Sequence, residues 1–261
     1  FFNTDISIEI LDPFLFVQMK AAIELIIKHI KEGGQITVFG DYDVDGITSS
    51  ALLYDLIKTL HGKVDVYIPD RKNEGYGINQ SAIEKISKQG TKLIISVDCG
   101  IRNFSEVEFA KNLGLDVIIT DHHMPDDDEN NLPNCIIINP KTSAEKYPFK
   151  SLAGVGVAFK LAQAIITSSK LEDDMKQRLE ERSMDLLAVG TVADCVDLVG
   201  ENRALLKKGL KSLERTNRLG LKELYKIAKI NLDRGIESWN IGFQIAPRLN
   251  AAGRLGHAME A

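Results

Sequence analysis

Three aspartates stand at alternate positions, Asp41, Asp43 and Asp45, in the stretch GDYDVDGITSS at residues 40–50. Carboxylates this close repel one another and hold their protons unless a cation lies among them. The row is therefore a candidate cation site. In an extended segment residues two apart share one side of the chain, so we expect Asp43 and Asp45 to face a bound ion together.

The same row of aspartates opens the loop of an EF-hand calcium site, but the rest of that loop is missing. Counted from Asp41, the twelfth position is Leu52, where an EF-hand has a bidentate glutamate. Two structural alternatives are a hairpin turn at Asp45-Gly46 and an N-cap formed by Asp45. A long helical pattern follows Gly46, which disfavours the hairpin, and a cap explains only one carboxylate of the three.

Further acidic and imidazole residues follow two other apolar runs. LIISVDCG contains Asp98, and DVIITDHH ends in Asp121, His122 and His123. Taken alone, each has a plain interpretation, as an Asp that caps the next helix or as a His pair in a loop. Asp194 in GTVADCVDL is a fourth candidate, although a lone Asp there usually ends a helix. Three motifs of this kind together favour one shared site.

Strands and helices alternate in the part of the chain that carries these motifs. Strands are predicted at QITVFG, KVDVYIP, KLIISVD, DVIITD and CIIINP, and helices at ITSSALLYDLIKTL, NQSAIEKISKQG and SEVEFAKNLG. This alternation implies β-α-β units, hence an α/β fold with a parallel sheet and helices on both faces. The acidic motifs then lie at the carboxyl ends of strands, where open parallel sheets bind their ligands.

The chain divides into three predicted parts. They are an N-terminal helical segment at 1–34, a catalytic domain at 35–200 and a helical extension at 201–261. The first segment, which includes the helical pattern DPFLFVQMKAAIELIIKHIKEGG, ends at a glycine pair that suits a C-cap. After Pro140 strand signals fade, so the second half is expected to be mainly helical. The charge run DDDEN at 126–130 predicts a solvated loop.

The composition is that of an ordinary globular protein, with 261 residues, 44% hydrophobic and 26% charged. Because the net charge is −5, an anionic partner must be held by a local basic patch or by metal ions. Three cysteines without CxxC spacing favour a reduced, cytoplasmic protein. The chain has no apolar run long enough for a membrane span and begins at Phe1, so we expect a piece of a soluble protein that continues beyond residue 261.

Carboxylates combined with one or two imidazoles suit hard or borderline divalent ions, above all Mn²⁺ and Mg²⁺. The candidate carboxylates are more than one ion normally needs. Two neighbouring ions that share a carboxylate clamp the attacking and leaving oxygens of a phosphoryl displacement. The residues alone therefore predict metal-dependent hydrolysis of a phosphate ester.

Four motifs, GDYDVDG, SVDCG, TDHH and GTVAD, resemble in this order the motifs of the DHH phosphoesterases. Within that family, LDPFLFVQM, IPDRKNEGYGI and IAPRLNAAGRLGHA are similar to the bacterial exonucleases that degrade single-stranded DNA from its 5′ end. The resemblance covers nearly the whole chain. It implies hydrolysis of phosphodiester bonds with two ions, Mn²⁺ or Mg²⁺, in DNA repair and recombination.

The resemblance also implies roles for individual residues. Metal ligands are expected in all four motifs: Asp43, Asp45, Asp98, His122 and Asp194, with Asp98 between the two ions. His123 is expected to face the scissile phosphate as an electrostatic or acid–base partner, and Asp41 to belong to the catalytic site. Many family members have a His where this chain has Phe39, so the first ion is expected to bind more weakly here.

Recognition of the strand is the next expectation. Arg71 in DRKNEGYG matches a position suited to the 5′-terminal phosphate, because an Arg fork binds phosphate through two hydrogen bonds. The alternative is a surface Arg paired with Asp70 or Glu74. Contacts to the strand backbone are expected from three residues of PRLNAAGR: Arg248, Asn250 and Arg254. Here the alternative is a helix–loop connection whose small residues only pack, and the glycines of LAGVGVAFK are a weaker candidate for an anion site at a helix start.

The resemblance implies single-stranded DNA with a 5′ end as the substrate, and a single-strand-binding protein and a helicase as partners. It also implies a further domain with a glycine-rich substrate-binding motif, and an OB-fold for single strands, in chain that follows residue 261. One alternative is a DHH phosphodiesterase for short oligonucleotides or cyclic dinucleotides. Another is a catalytically silent nucleic-acid-binding relative. A nucleotide-binding domain is disfavoured because no strand end carries GxGxxG or GxxxxGK[ST].

Overall fold

The computed structural model describes residues 10–126 and 132–261. The predicted loop at 126–130 therefore lies outside the described residues, except for Asp126, and so does the beginning of the N-terminal segment. Within the described ranges, no helix has the length and apolar character that a membrane crossing requires.

Five parallel strands form one sheet in the order β2-β1-β3-β4-β5. Their bounds are β1 (Gln35–Gly40), β2 (Lys63–Tyr67), β3 (Thr91–Val97), β4 (Asp116–Thr120) and β5 (Ile136–Ile138). Each coincides with one of the five apolar runs that predicted a strand, although β3 begins one residue before its run, at Thr91. In the register of β1, Val38 lies between Val66 of β2 and Ile95 of β3.

Helices cover both faces of this sheet, which confirms the predicted α/β fold. Their bounds are α1 (Met19–Glu32), α2 (Val44–Thr59), α3 (Gln80–Lys88), α4 (Phe104–Asn112), α5 (Gly154–Ser168), α6 (Asp173–Ala193), α7 (Gly200–Glu214), α8 (Leu219–Ala228) and α9 (Ala246–Leu255). Side chains of β1 such as Val38 pack with α1, α2 and α5 on one face, whereas Phe39 packs with α3 and α4 on the other. The part after β5 is mainly helical, as predicted.

The order of the strands places a crevice beside β1. The chain runs from β1 outward to β2 and then returns to the other side of β1 to form β3. At such a reversal the loops that follow the two central strands leave in opposite directions, and ligands bind between them. The aspartate row follows β1, and Asp98 follows β3. The acidic motifs therefore meet at the switch point of the sheet.

Helix α2 begins earlier than its sequence pattern predicted, and this changes the geometry of the aspartate row. Its N-cap is Asp43, whose Oδ1 accepts a hydrogen bond from the Gly46 N–H at 3.0 Å. Asp45 lies inside the first turn, so the alternative that Asp45 forms the cap is excluded. The expectation of an extended segment that carries Asp43 and Asp45 on one side is wrong for the same reason.

The N-terminal segment also departs from a single predicted helix. A short 3-10 turn at Pro13–Leu15, capped by Asp12, precedes α1. Phe16 then returns to an extended conformation and stacks its ring on Tyr147 at a centroid distance of 3.9 Å. This packing separates the 3-10 turn from α1. The predicted C-cap is present, since α1 ends at Gly33 with φ 69°.

The segment PRLNAAGR lies within α9, which a π-helix at Ile241–Ile245 precedes. Helix α9 packs back onto the first motif. A Cβ at Gly253 would lie 3.1 Å from the carbonyl oxygen of Tyr42, and the Asn250 Oδ1 accepts a hydrogen bond from the Val44 N–H at 3.2 Å. The helical extension thus supports the loop that carries the aspartate row.

Candidate metal centre

The first acidic loop folds tightly around Asp41, whose side chain is buried. A Cβ at Gly46 would lie 2.5 Å from the backbone oxygen of Asp41, so the loop requires glycine at the start of α2. The Asp41 Oδ1 is buried and has no hydrogen-bond partner among the described residues. Asp41 therefore offers a free carboxylate oxygen to the crevice.

The amino end of α5 holds Asp45. Its two carboxylate oxygens accept hydrogen bonds from the backbone N–H groups of Gly154, at 2.7 Å, and Val155, at 2.8 Å. A helix N-terminus attracts negative charge because its first N–H groups lack partners within the helix. This glycine-rich start was only a weak candidate for an anion site in the sequence, and the carboxylate that it holds is Asp45 of the same chain.

Asp98 follows β3 in the left-handed conformation, with φ 59°, which Asp tolerates better than most residues other than glycine. A Cβ at Gly154 would lie 2.5 Å from the Asp98 Oδ1. Only a glycine at that position lets α5 approach both carboxylates, Asp45 and Asp98.

His122 follows β4, and its ring is oriented by the backbone. The Nδ1 atom lies 3.1 Å from the carbonyl oxygen of Leu152. Because a carbonyl only accepts, we assign the proton to Nδ1, which leaves a lone pair on Nε2. That Nε2 lies 3.2 Å from the Asp98 Oδ1 and 3.6 Å from the Asp194 Oδ2, at the C-terminal cap of α6. A backbone-bonded imidazole of this kind is typical of metal ligands.

The predicted ligands converge into small groups whose ligand atoms lie within 4.8 Å of one another. The groups are Asp41, Asp43 and Asp98; Asp45, His122 and Asp194; and Asp98, His122 and His123. Four buried polar atoms of these groups have no hydrogen-bond partner in the described chain: Asp41 Oδ1, Asp98 Oδ1, His122 Nε2 and Asp194 Oδ2. Buried polar atoms are normally satisfied, so the donor set and its unpaired atoms fit divalent cations.

The electrostatics of the centre agree with this fit. Burial, with repulsion from Asp43, raises the pKa of Asp41 to about 7 and that of Asp194 to about 6. Burial and neighbouring carboxylates also raise the pKa values of Asp45 and Asp98. Such groups retain protons near neutral pH unless a cation compensates their charge.

Burial has the opposite effect on the pKa of His122, which it lowers to about 4. Its imidazole is therefore neutral at physiological pH, which is the form that binds a metal ion.

His123 lies at the mouth of the centre with 43% of its side chain exposed. Its Nδ1 lies 2.8 Å from the Asp121 Oδ1, and this hydrogen bond raises the pKa of His123. Asp121 also accepts hydrogen bonds from the backbone N–H groups of Ile101, His122 and His123, so both of its carboxylate oxygens already have partners. We therefore assign Asp121 to positioning and not to the ligand groups.

Tyr76 is a site residue that the sequence analysis did not single out. Its hydroxyl lies 3.2 Å from both the Asp98 carbonyl oxygen and the His123 Nδ1. The two glycines around it in EGYG were a signal, because both have positive φ and allow the tight loop that brings the ring here. Lys141, in the loop after β5, was also not singled out, although INPK ends a predicted strand in the same way as the acidic motifs.

Arg71 lies beside the first acidic loop. Its guanidinium carbon is 4.8 Å from the ring centroid of Tyr42, and its charge acts on Asp41. The alternative pairing with Asp70 or Glu74 is not seen in the described chain. Asp70 accepts hydrogen bonds from backbone N–H groups of its own turn, and Glu74 accepts one from the Tyr67 hydroxyl. Arg71 is thus available to an anion next to the centre.

The other residues predicted to contact nucleic acid lie on α9. Asn250 uses its Oδ1 for the Val44 N–H, so it supports α2 whatever else it contacts. Arg248 is exposed and donates to the Gln244 carbonyl oxygen at 2.8 Å, and Arg254 is exposed. Their contact with a strand stays a prediction.

Phe39 does not face the carboxylates. It is fully buried and stacks on Tyr67 at a centroid distance of 5.3 Å. Asp41 instead lies with Asp43 and Asp98 in the first group. The weaker first ion expected from Phe39 stays a prediction, and Asp41 is itself a candidate ligand.

Four acidic motifs that meet at the switch point of a parallel sheet are the pattern expected of a DHH phosphoesterase. Comparison with known families agrees with this expectation. The model of the DHH family, N-terminal domain, matches residues 35–191. The chain belongs to the DHH family, as its motifs predicted.

The similarity is strong to individual members. The single-stranded-DNA-specific exonuclease RecJ of Bacillus subtilis (strain 168) is 47% identical over 248 residues, which are 95% of this chain and 30% of that protein. RecJ of Escherichia coli (strain K12) is 39% identical over 246 residues, 91% of this chain and 42% of that protein. The chain thus spans less than half the length of these two relatives.

Solved structures of RecJ share the fold. A crystal structure of exonuclease RecJ bound to manganese superposes with a TM-score of 0.83 at 33% identity, over 96% of this chain and 61% of that one. RecJ from Thermus thermophilus in complex with Mn²⁺ gives a TM-score of 0.78 at 32% identity, over 97% of this chain and 36% of that one.

Proposed function

We propose that the chain hydrolyses phosphodiester bonds of single-stranded DNA from the 5′ end, with two divalent ions, Mn²⁺ or Mg²⁺, held by the ligand groups of the centre. The observation that carries the proposal is the contact of the Asp98 Oδ1 with the His122 Nε2 at 3.2 Å, because it joins two ligand groups at one sheet edge. The strand and its direction are inferred from the similarity to RecJ.

The residues of the ligand groups would hold the two ions, which would supply stabilisation of the negative charge that develops in the displacement. The chain supplies the surrounding geometry. Asp98 belongs to two of the ligand groups and would help to hold both ions, and the Leu152 carbonyl oxygen orients the ring of His122. Asp121 keeps a proton on His123, which can then donate to a phosphate oxygen or to the leaving oxygen. Arg71 is placed to bind the 5′-terminal phosphate.

The remaining expectations about context belong to the same proposal. A bacterial cytoplasmic protein of DNA repair and recombination is consistent with similarity to RecJ. Association with a single-strand-binding protein and a helicase, like a second domain after residue 261, stays a prediction from the family resemblance.

The decisive experiment follows degradation of 5′-phosphorylated single-stranded DNA in the presence of Mn²⁺ by the unaltered chain and by Asp98→Ala. We expect the unaltered chain to release mononucleotides from the 5′ end. The rate should fall by at least about a thousandfold in Asp98→Ala, because two of the three ligand groups lose the carboxylate that they share. A matched control is Asp126→Ala, since Asp126 is half-exposed and pairs with Arg102 outside the centre.

The two alternatives predict other outcomes. A phosphodiesterase for short substrates would cleave dinucleotides or cyclic dinucleotides faster than longer strands, so oligonucleotides of graded length are compared. Tight DNA binding without any Mn²⁺-dependent turnover would instead indicate a catalytically silent relative and would reject the proposal.

A further inference from the structure

The loop after β5 brings a cation to the metal centre. The Asn139 side chain is fully buried; its Nδ2 donates to the His123 carbonyl oxygen at 2.9 Å, and its Oδ1 accepts the Lys141 N–H at 2.8 Å. One amide thus fastens the backbone of Lys141 to the backbone of His123. The fifth strand of the sheet therefore contributes to the same edge as the acidic motifs.

The Lys141 side chain is half-buried, and its ammonium has no hydrogen bond or ion pair with any residue in 10–126 or 132–261. Its charge nevertheless acts electrostatically on three residues of the centre, His122, His123 and Asp194. A lysine that is held beside carboxylates and pairs with none of them is available to another anion.

Lys141 and Arg71 lie beside different ligand groups. Arg71 lies over the ring of Tyr42, the neighbour of Asp41 in the first group, whereas the Asn139 amide joins Lys141 to the backbone of His123 in the third group. A strand that crosses both groups would therefore meet one cation on each side. If Arg71 takes the 5′-terminal phosphate, Lys141 faces the part of the strand that lies beyond the scissile bond.

We propose that Lys141 binds the phosphate that follows the scissile one toward the 3′ end and so fixes the strand across the centre. The inference rests on the proposed function, because it needs a polynucleotide with a 5′ end at Arg71. In this role Lys141 is a substrate-positioning residue. The phosphate that it contacts is not the one that reacts, so its loss affects KM more than kcat.

The test combines Lys141→Ala with a substrate that lacks one charge. We expect KM for 5′-phosphorylated single-stranded DNA to rise about tenfold, with kcat within about twofold, since one charge-assisted contact is lost. A neutral methylphosphonate at the second phosphodiester from the 5′ end should raise KM of the unaltered chain similarly and leave that of Lys141→Ala unchanged. A methylphosphonate several nucleotides further along should not distinguish the two proteins.

Two control variants test whether the effect depends on the positive charge at position 141. Lys141→Arg should restore most of the affinity, and Lys146→Ala, an exposed lysine of the same loop, should behave like the unaltered chain. Lys141→Ala should also lower the slope of log affinity against log salt by about 0.7, as expected for one phosphate contact on a single strand.

The outcomes separate the two proposals. Binding is measured alongside turnover, with Ca²⁺ in place of Mn²⁺, so the inference does not depend on catalysis. If the unaltered chain binds or degrades the strand and Lys141→Ala does so equally well, the inference is overturned and the proposed function stands. Another outcome is that Lys141→Ala binds the charged strand and the methylphosphonate strand more weakly than the unaltered chain does by the same factor. In that case Lys141 does not contact the second phosphodiester, and the inference fails. If the unaltered chain neither binds nor degrades the strand, both proposals fall.

Discussion

At the scale of single residues, His123 shows how one carboxylate sets the chemistry of another group. Burial raises the pKa of Asp121, but hydrogen bonds from His123 and from backbone N–H groups outweigh it and leave that pKa below its usual value. The ionised Asp121 in turn favours the protonated ring of His123. The pair therefore presents a proton donor at the open side of the centre.

This pair leads to a prediction about pH. Replacing Asp121 by Asn removes the negative charge that raises the pKa of His123, so the protonated form should be lost at lower pH. We expect the alkaline limb of kcat/KM for Asp121→Asn to move to lower pH, since the hydrogen bond from the ring to the ionised carboxylate favours the protonated form of His123. The profile is measured with 5′-phosphorylated single-stranded DNA at saturating Mn²⁺.

The matched control is Tyr76→Phe, which removes a hydroxyl 3.2 Å from the same Nδ1 but leaves the carboxylate in place. Its alkaline limb should stay close to that of the unaltered chain. An unchanged limb in Asp121→Asn would show that His123 acts without its proton.

The sequence singled out the members of the candidate ligand groups, whose role as ligands stays a prediction, but it marked the residues around them poorly. Asp98 and His122 could be found because they follow apolar strand patterns, where carboxylates and imidazoles indicate a shared site, whereas Asp194 was predicted from the resemblance of GTVAD to a family motif. Tyr76 and Lys141 are single residues in loops, and no periodic pattern marks them. Their positions depend on how two loops fold over the sheet edge, which local sequence does not determine.

At the scale of elements, the centre depends on how closely α5 approaches the sheet. The first N–H groups of α5 bind Asp45, and its first residue, Gly154, faces Asp98. One helix terminus thus fixes two carboxylates that follow different strands. This arrangement needs a residue without a side chain at the first position of α5.

A methyl group added at that position should therefore damage the centre more than the fold. In Gly154→Ala the Cβ would lie 2.5 Å from the Asp98 Oδ1, so the carboxylate must move. We expect Mn²⁺-dependent activity to fall about a hundredfold or more, as for displaced catalytic groups, while the circular dichroism spectrum is retained. The measurement is kcat/KM together with the affinity for Mn²⁺.

Gly156→Ala is the natural comparison because it lies on the same helix. Its Cβ would meet only the Leu152 side chain, at 3.2 Å, which can adjust. Similar losses in both variants would mean that α5 as a whole, and not the contact with Asp98, is sensitive to substitution.

Among the elements, short apolar runs predicted the five strands, because a parallel sheet covered on both faces buries consecutive residues, and helical periodicity predicted the helices between them. The starts of helices were less predictable. Helix α2 begins at Val44 because Asp43 caps it, although the apolar pattern becomes clear only from Ile47. Helix α9 was not expected as a support for the first motif, since its contact through Asn250 joins residues 206 positions apart in the chain.

At the scale of the whole molecule, the centre concentrates negative charge in a chain whose net charge is already −5. The aspartates come from loops after β1 and β3 and from the end of α6, so the folded state brings together groups that are far apart in the unfolded chain. A cation that binds only the assembled groups stabilises the folded state by mass action. Metal binding and folding are therefore linked in this protein.

The sign of this linkage follows from the pKa values of the groups without metal. Asp41 has a pKa of about 7 in the folded chain and 3.8 as a reference value, so between these pH values the folded state holds a proton that the unfolded state has released. The contribution of Asp41 to stability therefore falls as pH rises through this window, and that of Asp194 falls between 3.8 and about 6. The pKa of His122 is instead lowered from 6.5 to about 4, so the contribution of His122 to stability rises as the pH rises between these values.

Comparing the protein with and without Mn²⁺ isolates the competition between protons and metal. At about pH 5 protons occupy Asp41 and Asp194 and oppose binding, whereas above about pH 7 both are free to bind. We expect the rise in Tm caused by Mn²⁺ to be small at about pH 5 and to increase as the pH rises through about 6 and about 7. His122 is already neutral at the lower pH and does not weaken this trend. Asp98→Ala should show little rise at any pH, and an equal or larger rise at about pH 5 in the unaltered chain would contradict the assignment of Asp41 and Asp194 as ligands.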